Sequence, residues 1–289
     1  MTTAPPGPTA PGTHAPSLSR RRFLAGAGVL AAGVAGDAFG VEPRWVRVSR
    51  HEVPVPGLAK GLDGIRIAQL SDLHLPANRA AADRTIAIIK AERPDIVVLT
   101  GDQCETADGI AEVSAFASEA RGTVATLAVL GNWDYRGTSV GDLAALAYEA
   151  AGAILLVNRH VIIQRGGASL AFVGLDDLLG GKPDLAAACV GVPADTPVIL
   201  LAHEPGPADD PLPAGVPSPI LSLAGHTHGG QIRFPGLPAR TPIGSGRFLA
   251  GWYQSAWGRL YVSRGIGTAD IRARFFCPPE VPIFGLRSA

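Results

Sequence analysis

Seven polar residues stand at spacings that suit a centre for divalent cations: Asp72-x-His74, Asp102 after Gly101, Asn132 after Gly131, His203 ahead of Glu204-Pro205, and His226-Thr227-His228. Carboxylate, imidazole and amide donors together favour borderline-hard ions such as Mn, Fe or Zn. Cys104, Cys189 and Cys277 are far apart and lack the paired spacing of a thiolate site, so they read as ordinary buried thiols. On an extended segment residues i and i+2 point to one side. Asp72 and His74 are therefore expected to face one ion together, and His226 and His228 another pairing of the same kind. Glycines at 101, 131, 225, 229 and 230 remove side chains where the backbone must turn tightly around such a site.

These residues act together only if the fold gathers them. From about Val46 the chain alternates apolar, β-rich runs with helix-like segments, the pattern of an α/β domain. Runs 65–70, 95–100, 123–130, 169–175, 198–202 and 220–224 read as buried strands. Ala82, Ile86 and Ile89 form one helical stripe that Pro94 ends, and 109–121 and 142–151 are further helix candidates. Each strand runs directly into polar residues: Ser71-Asp72-Leu73-His74, Gly101-Asp102-Gln103, Gly131-Asn132-Trp133-Asp134, Asp176-Asp177, His203-Glu204 and Gly225-His226-Thr227-His228. Ligand sites in α/β folds lie just beyond the carboxyl ends of strands. If the strands share one sheet edge, the loops converge.

The chain has 289 residues, 47% of them apolar and 17% charged, enough for one domain with a substantial core. Basic and acidic residues number 25 each, so charge offers no support for a nucleic-acid-binding surface. Residues 1–17 are rich in Pro, Thr, Ala and Gly and read as an unstructured leader. Ser19-Arg20-Arg21-Arg22-Phe23-Leu24 then precedes an apolar run from Phe23 to Gly36, 14 residues long and short of the ~20 that span a bilayer. That stretch resembles a twin-arginine export signal, with Ala25 where such signals often carry Lys. The expected division is a leader with export signal over 1–40 and a globular domain over 41–289. Export machinery would be a partner, and the location periplasmic or otherwise extracytoplasmic, with membrane association open.

Taken in order, Asp72-x-His74, Gly101-Asp102, Gly131-Asn132-x-Asp134, His203 and Gly225-His226-Thr227-His228 resemble the motifs of the calcineurin-like metallophosphoesterases, over about Gly64 to Gly285. Gly225 to Gln231 and Tyr261 to Gly267 resemble the exported or membrane-associated single-domain branch. The resemblance implies a four-layer α/β/β/α sandwich of two mixed sheets flanked by helices. It further implies that Asp72, His74, Asp102 and His228 hold one divalent ion and Asp102, Asn132, His203 and His226 a second, with Asp102 bridging. Two such cations ~3.5–4 Å apart lower the pKa of a bridging water and favour its in-line attack, as hydroxide, on a phosphoester.

One position departs. Most members have His where this chain has Trp133, and an indole has one N–H donor but no proton to give near neutral pH. The catalytic segment is thus Asp102, Asn132, Trp133 and Asp134, with Asp134 expected to orient its loop. Arg136 is the expected phosphate-binding residue, and Arg233 is similarly placed. A good leaving group would not need an acid, which favours a phosphodiester or pyrophosphate over a small monoester, from envelope or lipid sources; otherwise Tyr135, Arg136 or another histidine substitutes. The alternative is a catalytically impaired metal-binding or scaffold protein of the same fold. Asp176 and Asp177 fit a turn as well as a site, Trp252, Tyr253 and Trp257 a pocket mouth as well as the core, and His14, His51 and His160 lie outside the pattern.

Overall fold

The computed structural model describes residues 1–3, 20–136 and 140–289. Most of the expected leader, with His14 and Ser19, lies outside the described residues. Contacts divide the chain into Met1–Gly36 and Asp37–Ala289. The first unit holds α1 (Arg20–Gly36), which has no buried side chain. Helical backbone continues through Asp37–Val41, so the stretch Arg20–Arg44 has 25 residues and a window of mean hydropathy 1.6. By length and composition it is sufficient to cross a membrane, a criterion an N-terminal signal sequence also meets. The helical stretch is longer than the 14-residue apolar run 23–36, because Gly36-Asp37 does not end the helix.

The second unit runs β1 (Arg47–Val55), β2 (Arg66–Leu70), α2 (Arg79–Glu92), β3 (Ile96–Thr100), α3 (Ile110–Glu119), β4 (Ala125–Val129), α4 (Val140–Ala150), β5 (Ile154–Leu155), β6 (Arg159–Arg165), β7 (Ala168–Gly174), α5 (Leu185–Cys189), β8 (Val198–Leu201), β9 (Leu221–Ala224), β10 (Gly251–Ser255), β11 (Gly258–Val262) and β12 (Glu280–Ser288). Each of the six runs expected from sequence coincides with one of these strands to within a residue or two at its ends. They form two six-stranded mixed sheets, ordered β1-β12-β2-β3-β4-β5 and β10-β11-β9-β8-β7-β6. Strands β2 to β5 are mutually parallel, as are β7, β8, β9 and β11, while β12 against β2, β6 against β7 and β10 against β11 are antiparallel.

Alternation along each strand divides the core into layers. Ile67, Val98, Leu127, Phe172, Ile199 and Leu223 meet between the sheets. Ala68, Leu70, Val97 and Leu99 face the helices on the other side, including Ala82 and Ile89 of α2 and Phe116 of α3. The second sheet's outer face, with Val173, Leu200 and Val262, is covered by α5 and neighbouring loops. This is the expected four-layer sandwich. Burial of both faces explains why the central strands are near-continuous apolar runs. Helix α2 ends at Arg93, whose left-handed φ of 49° precedes Pro94.

The loops converge from the edges of two sheets, not one: β2, β3 and β4 deliver loops from the first sheet, β7, β8 and β9 from the second. A buried polar bridge ties the two ends together. Gln69 Nε2 donates to Thr100 Oγ1 at 3.0 Å within the first sheet and to the Ala224 carbonyl of the second at 2.9 Å.

Candidate metal centre

Backbone ladders extend past the strand ends and fix the loops in register. Asp72 N–H donates to the Gly101 carbonyl, His74 N–H to that of Asp102, Ile266 N–H to that of Ser71 and Gly267 N–H to that of Asp72. Asp134, fully buried, accepts from Asp102 N–H and Gly131 N–H at 2.9 Å through one oxygen and from Cys104 N–H at 3.1 Å through the other. Its carboxylate thus fastens the loops after β3 and β4 to each other. At Gly101 φ is +86°, and a Cβ there would collide with the His203 ring; one at Gly225 would strike Ser71 and Asp72.

Two buried groups of ligand atoms result, Asp72 with His74 and His228, and Asp102 with His203 and His226, each lying within 4.8 Å. His74 Nε2 and His228 Nε2 are 3.0 Å apart, and His228 Nε2 is 3.5 Å from Asp72 Oδ1. His203 Nε2 is 3.2 Å from Asp102 Oδ2 and 3.3 Å from His226 Nδ1. Asp102 Oδ2 is also 3.7 Å from His74 Nε2, so one oxygen lies between the groups. Asn132 Oδ1 is buried without a hydrogen-bond partner among the described residues. An unpartnered buried amide oxygen costs about 1–3 kcal/mol unless a donor or a cation satisfies it, and a divalent ion here would do so. Four imidazoles, two carboxylates and this oxygen fit borderline-hard divalent ions.

The far nitrogens of three of the four imidazoles face groups behind them. His203 Nδ1 donates to the Thr100 carbonyl at 2.8 Å and His226 Nε2 to that of Ile243 at 2.7 Å. His74 Nδ1 lies 3.3 Å from Glu105 Oε1, and Arg272 grips both Glu105 oxygens. Burial raises the Asp72 carboxyl. Burial would raise Asp102 too, but His203 and His74 outweigh it and hold its carboxyl well below the usual range. For His203, burial disfavours the charged ring, yet the Asp102 carboxylate prevails and raises it. Burial lowers His226 and His228, reinforced by the charge of His203 and His74 respectively. Neutral rings are the form that binds a cation, so loading of the site would displace protons from it.

The geometry corrects one step of the sequence argument. Asp72, His74, Asp102, His226 and His228 all have φ between 50° and 70°. The ligand segments are therefore turns in the left-handed region, not extended strands, and pairs at i and i+2 converge because each residue is individually bent. Non-glycine residues rarely adopt this conformation, and such strain gathers at functional sites.

Trp133 N–H donates to Asp102 Oδ1 at 2.8 Å, its ring meets that of His74 edge-on at 5.3 Å, and the Arg136 guanidinium stacks 3.4 Å from the indole centroid. Tyr135 O–H donates to Asp176, which with burial raises the phenol above its usual range. Arg233 Nε donates to the Gly229 carbonyl at 2.5 Å. Asp177 joins Glu204 and His203 in a further buried acid group, and burial with the adjacent Glu204 pushes its carboxyl up to about 8. Trp257 is core, Tyr253 packs on Phe248, and Trp252 packs with His51, Tyr261 and Phe284. His160 Nδ1 meets the Ala188 carbonyl. Sequence reasoning missed Glu105 and its cation Arg272, and Arg274, fully buried with its guanidinium on the carbonyls of Arg264, Gly267, Cys277 and His228. Glu105 lies three residues beyond Asp102, but nothing in spacing marks it.

The sequence matches the calcineurin-like phosphoesterase family over residues 65–230, from the start of β2 through the His226–Gly230 turn. It is 32% identical, over 94% of its length and 98% of the relative's, to the metallophosphoesterase YkuE of Bacillus subtilis. It is 31% identical, over 93% of its length and 99% of the relative's, to the phosphodiesterase YaeI of Escherichia coli. A transmembrane protein with a metallophosphoesterase domain from Bos taurus is 32% identical over 84% of this chain, which covers 57% of that protein. The family match, the similar full-length relatives and the clustered donors agree: the chain belongs to the calcineurin-like phosphoesterase family and is a phosphoesterase hydrolase.

Proposed function

We propose that the chain hydrolyses a phosphodiester or a pyrophosphate linkage with two divalent ions, one held by Asp72, His74, Asp102 and His228, the other by Asp102, Asn132, His203 and His226. The observation that carries this reading is the position of Asp102 Oδ2, within 3.2 Å of His203 Nε2 and 3.7 Å of His74 Nε2, between two donor groups. When bound, Mn, Zn or Fe supplies Lewis acidity toward the phosphoryl oxygens and lowers the pKa of a coordinated water. Asp134 keeps the Asp102 and Asn132 loops fixed, Trp133 closes the cluster beside His74, and Arg136 offers a stacked guanidinium for phosphate oxygens. No group at position 133 protonates the departing oxygen, and Tyr135 is committed to Asp176, so the substrate is one whose leaving group departs as a stable anion. The name of YaeI, a phosphodiesterase, supports the same class.

The test is a rate comparison of metal-loaded protein on aryl and alkyl diesters, pyrophosphates and monoesters. Aryl diesters and pyrophosphates are expected to be cleaved faster than alkyl esters, and Trp133→His is expected to accelerate the alkyl esters most. Equal rates on all would remove the leaving-group argument. The second reading, a scaffold that keeps its ions, is favoured by the same Trp133 and predicts stoichiometric metal with no hydrolysis. Residues 1–40 act as leader and twin-arginine-type export signal and 41–289 as the phosphoesterase domain, placing the enzyme outside the cytoplasm on envelope- or lipid-derived substrates. Cell fractionation checks this: Arg20→Lys with Arg21→Lys should retain the protein in the cytoplasm.

A further inference from the structure

A long irregular segment follows the last two histidines. Between the turn at His228–Gly230 and β10 the backbone forms no strand or helix, and a connection of that length inside a domain usually has a function of its own. It exposes Phe234 and Leu237, each more than half accessible. Its Arg233 N–H donates to the Phe275 carbonyl, and Phe234 packs on Phe275, which packs on exposed Phe276. The 274–277 segment is in turn fastened to the start of the domain: Arg274 N–H donates to the Ala38 carbonyl, and Phe276 and Cys277 N–H groups donate to Glu42. There Phe39, Val41 and Trp45 are also more than half exposed. Three separate pieces of chain thus build one apolar rim, of the kind soluble surfaces rarely present.

We propose that this rim, Phe39, Val41, Trp45, Phe234, Leu237 and Phe276, inserts into the headgroup and acyl boundary of a phospholipid bilayer and sets the metal centre against the lipid surface. Two features select a bilayer as the occupant. First, the apolar stretch Arg20–Arg44 ends within the rim, and its exit carries Trp45 with Arg47 stacked 3.8 Å from the indole, beside exposed Arg44. An aromatic ring with cations at the end of an apolar helix is the composition of a membrane–water interface. Second, residues 229–243 include Arg233 and Arg240 and no acidic residue, which complements anionic headgroups. The rim is also fastened to the site. The Ile243 carbonyl accepts from His226, and the Cys277 thiol lies 3.3 Å from the His228 carbonyl. Docking would therefore bring the ligand turns to headgroup depth; that last step rests on the phosphoesterase reading, whereas the docking itself does not.

Because the helical stretch alone can tether the protein, the test must report on the rim. Cys104, Cys189 and Cys277 are buried, so a nitroxide can be attached selectively to the full chain at Leu237→Cys, or at Val124→Cys beside the opposite, amino-terminal end of β4. On vesicles of phosphatidylethanolamine and phosphatidylglycerol, the ratio of oxygen to aqueous nickel-chelate collisions should be at least about fivefold higher at 237 than at 124. Phe234→Ser with Phe276→Ser should collapse that difference while leaving hydrolysis of a soluble aryl diester unchanged. Equal, water-like ratios at both sites on vesicle-bound protein would overturn the proposal. Failure of the phosphoesterase reading looks different: no hydrolysis of the soluble diester, with the 237 label still shielded.

Discussion

The two halves of the ligand cluster are positioned by different means. In the half formed by Asp102, His203 and His226, both imidazoles donate to backbone carbonyls, of Thr100 and Ile243. In the half formed by Asp72, His74 and His228, the ring of His74 faces the Glu105 carboxylate, and Glu105 is held by Arg272 from 167 residues away. His228 Nδ1, also buried, has no protein hydrogen-bond partner among the described residues. A carbonyl is part of the fold and cannot be substituted, whereas a carboxylate makes its imidazole a stronger donor and can be removed by one mutation. The first half is therefore built by the sandwich itself, and the second is adjusted by side chains. Where one ion is easily lost and the other retained, the side-chain-supported half should be the labile one.

The largest effect should come from the residue that serves both halves. Asp102→Asn removes the charge between the groups while keeping the shape of the side chain. Metal content by elemental analysis should fall for both ions, and hydrolysis by more than the ~10–100-fold typical of losing a group that merely orients a ligand. Retention of two ions per chain with full activity would remove the bridging role.

Next in size is the half built by backbone. Gly101→Ala places a methyl group against the His203 ring at a φ of +86°. The strain and collision should destabilise the fold by about 1–3 kcal/mol and displace His203. Calorimetry should show the lowered melting temperature, and metal titration should show the weakened site to be the one containing His203. An unchanged melting temperature would mean that the loop has room the structure does not show.

Glu105→Gln tests the other half. Partial burial pushes the Glu105 carboxyl up, but His74 and Arg272 outweigh it and hold it at about 2, so it is an anion at any ordinary pH. Removing that charge should weaken one of two metal sites by ~10–100-fold and leave the second near its original affinity. Isothermal titration with Mn resolves the two. Arg272→Ala should act in the same direction and by less, because Glu105 keeps its charge.

The contrast between the halves also explains what could be read from the sequence. Ligands that follow apolar strands are visible because burial on both faces gives β2, β3, β4, β8 and β9 a mostly apolar character, and the polar residues after them stand out. Strands β1, β6, β10 and β12 mix exposed and buried faces or contain Pro54, Pro282 and Gly285, and their segments carry no such signal. The carbonyl supports follow from the fold once the strands are placed. Glu105, Arg272 and Arg274 do not, since each acts through contacts between segments far apart in sequence. The left-handed turns at Asp72 and His226 were equally hidden, because Asp and His give no hint of the conformation that a glycine would announce.

The smallest expected effect belongs to a control for the side-chain half. Glu92 is also an acid between cations, bound by Arg50 and Arg66, but it has no imidazole to support. Burial pushes its carboxyl up, and the two arginines outweigh this and bring it below its ordinary 4.5. A depressed folded-state value means a stabilisation that is complete above about 4.5 and fades as pH falls through the folded value. Glu92→Gln should therefore lower stability by no more than about 1 kcal/mol near neutral pH, and the difference from the parent should shrink below pH 4.5. Both metal sites should keep their affinity. If instead Glu92→Gln weakened one ion as Glu105→Gln does, the effect at Glu105 would be a general consequence of losing a charge pair, and the distinction between a backbone-built and a side-chain-adjusted half would fall.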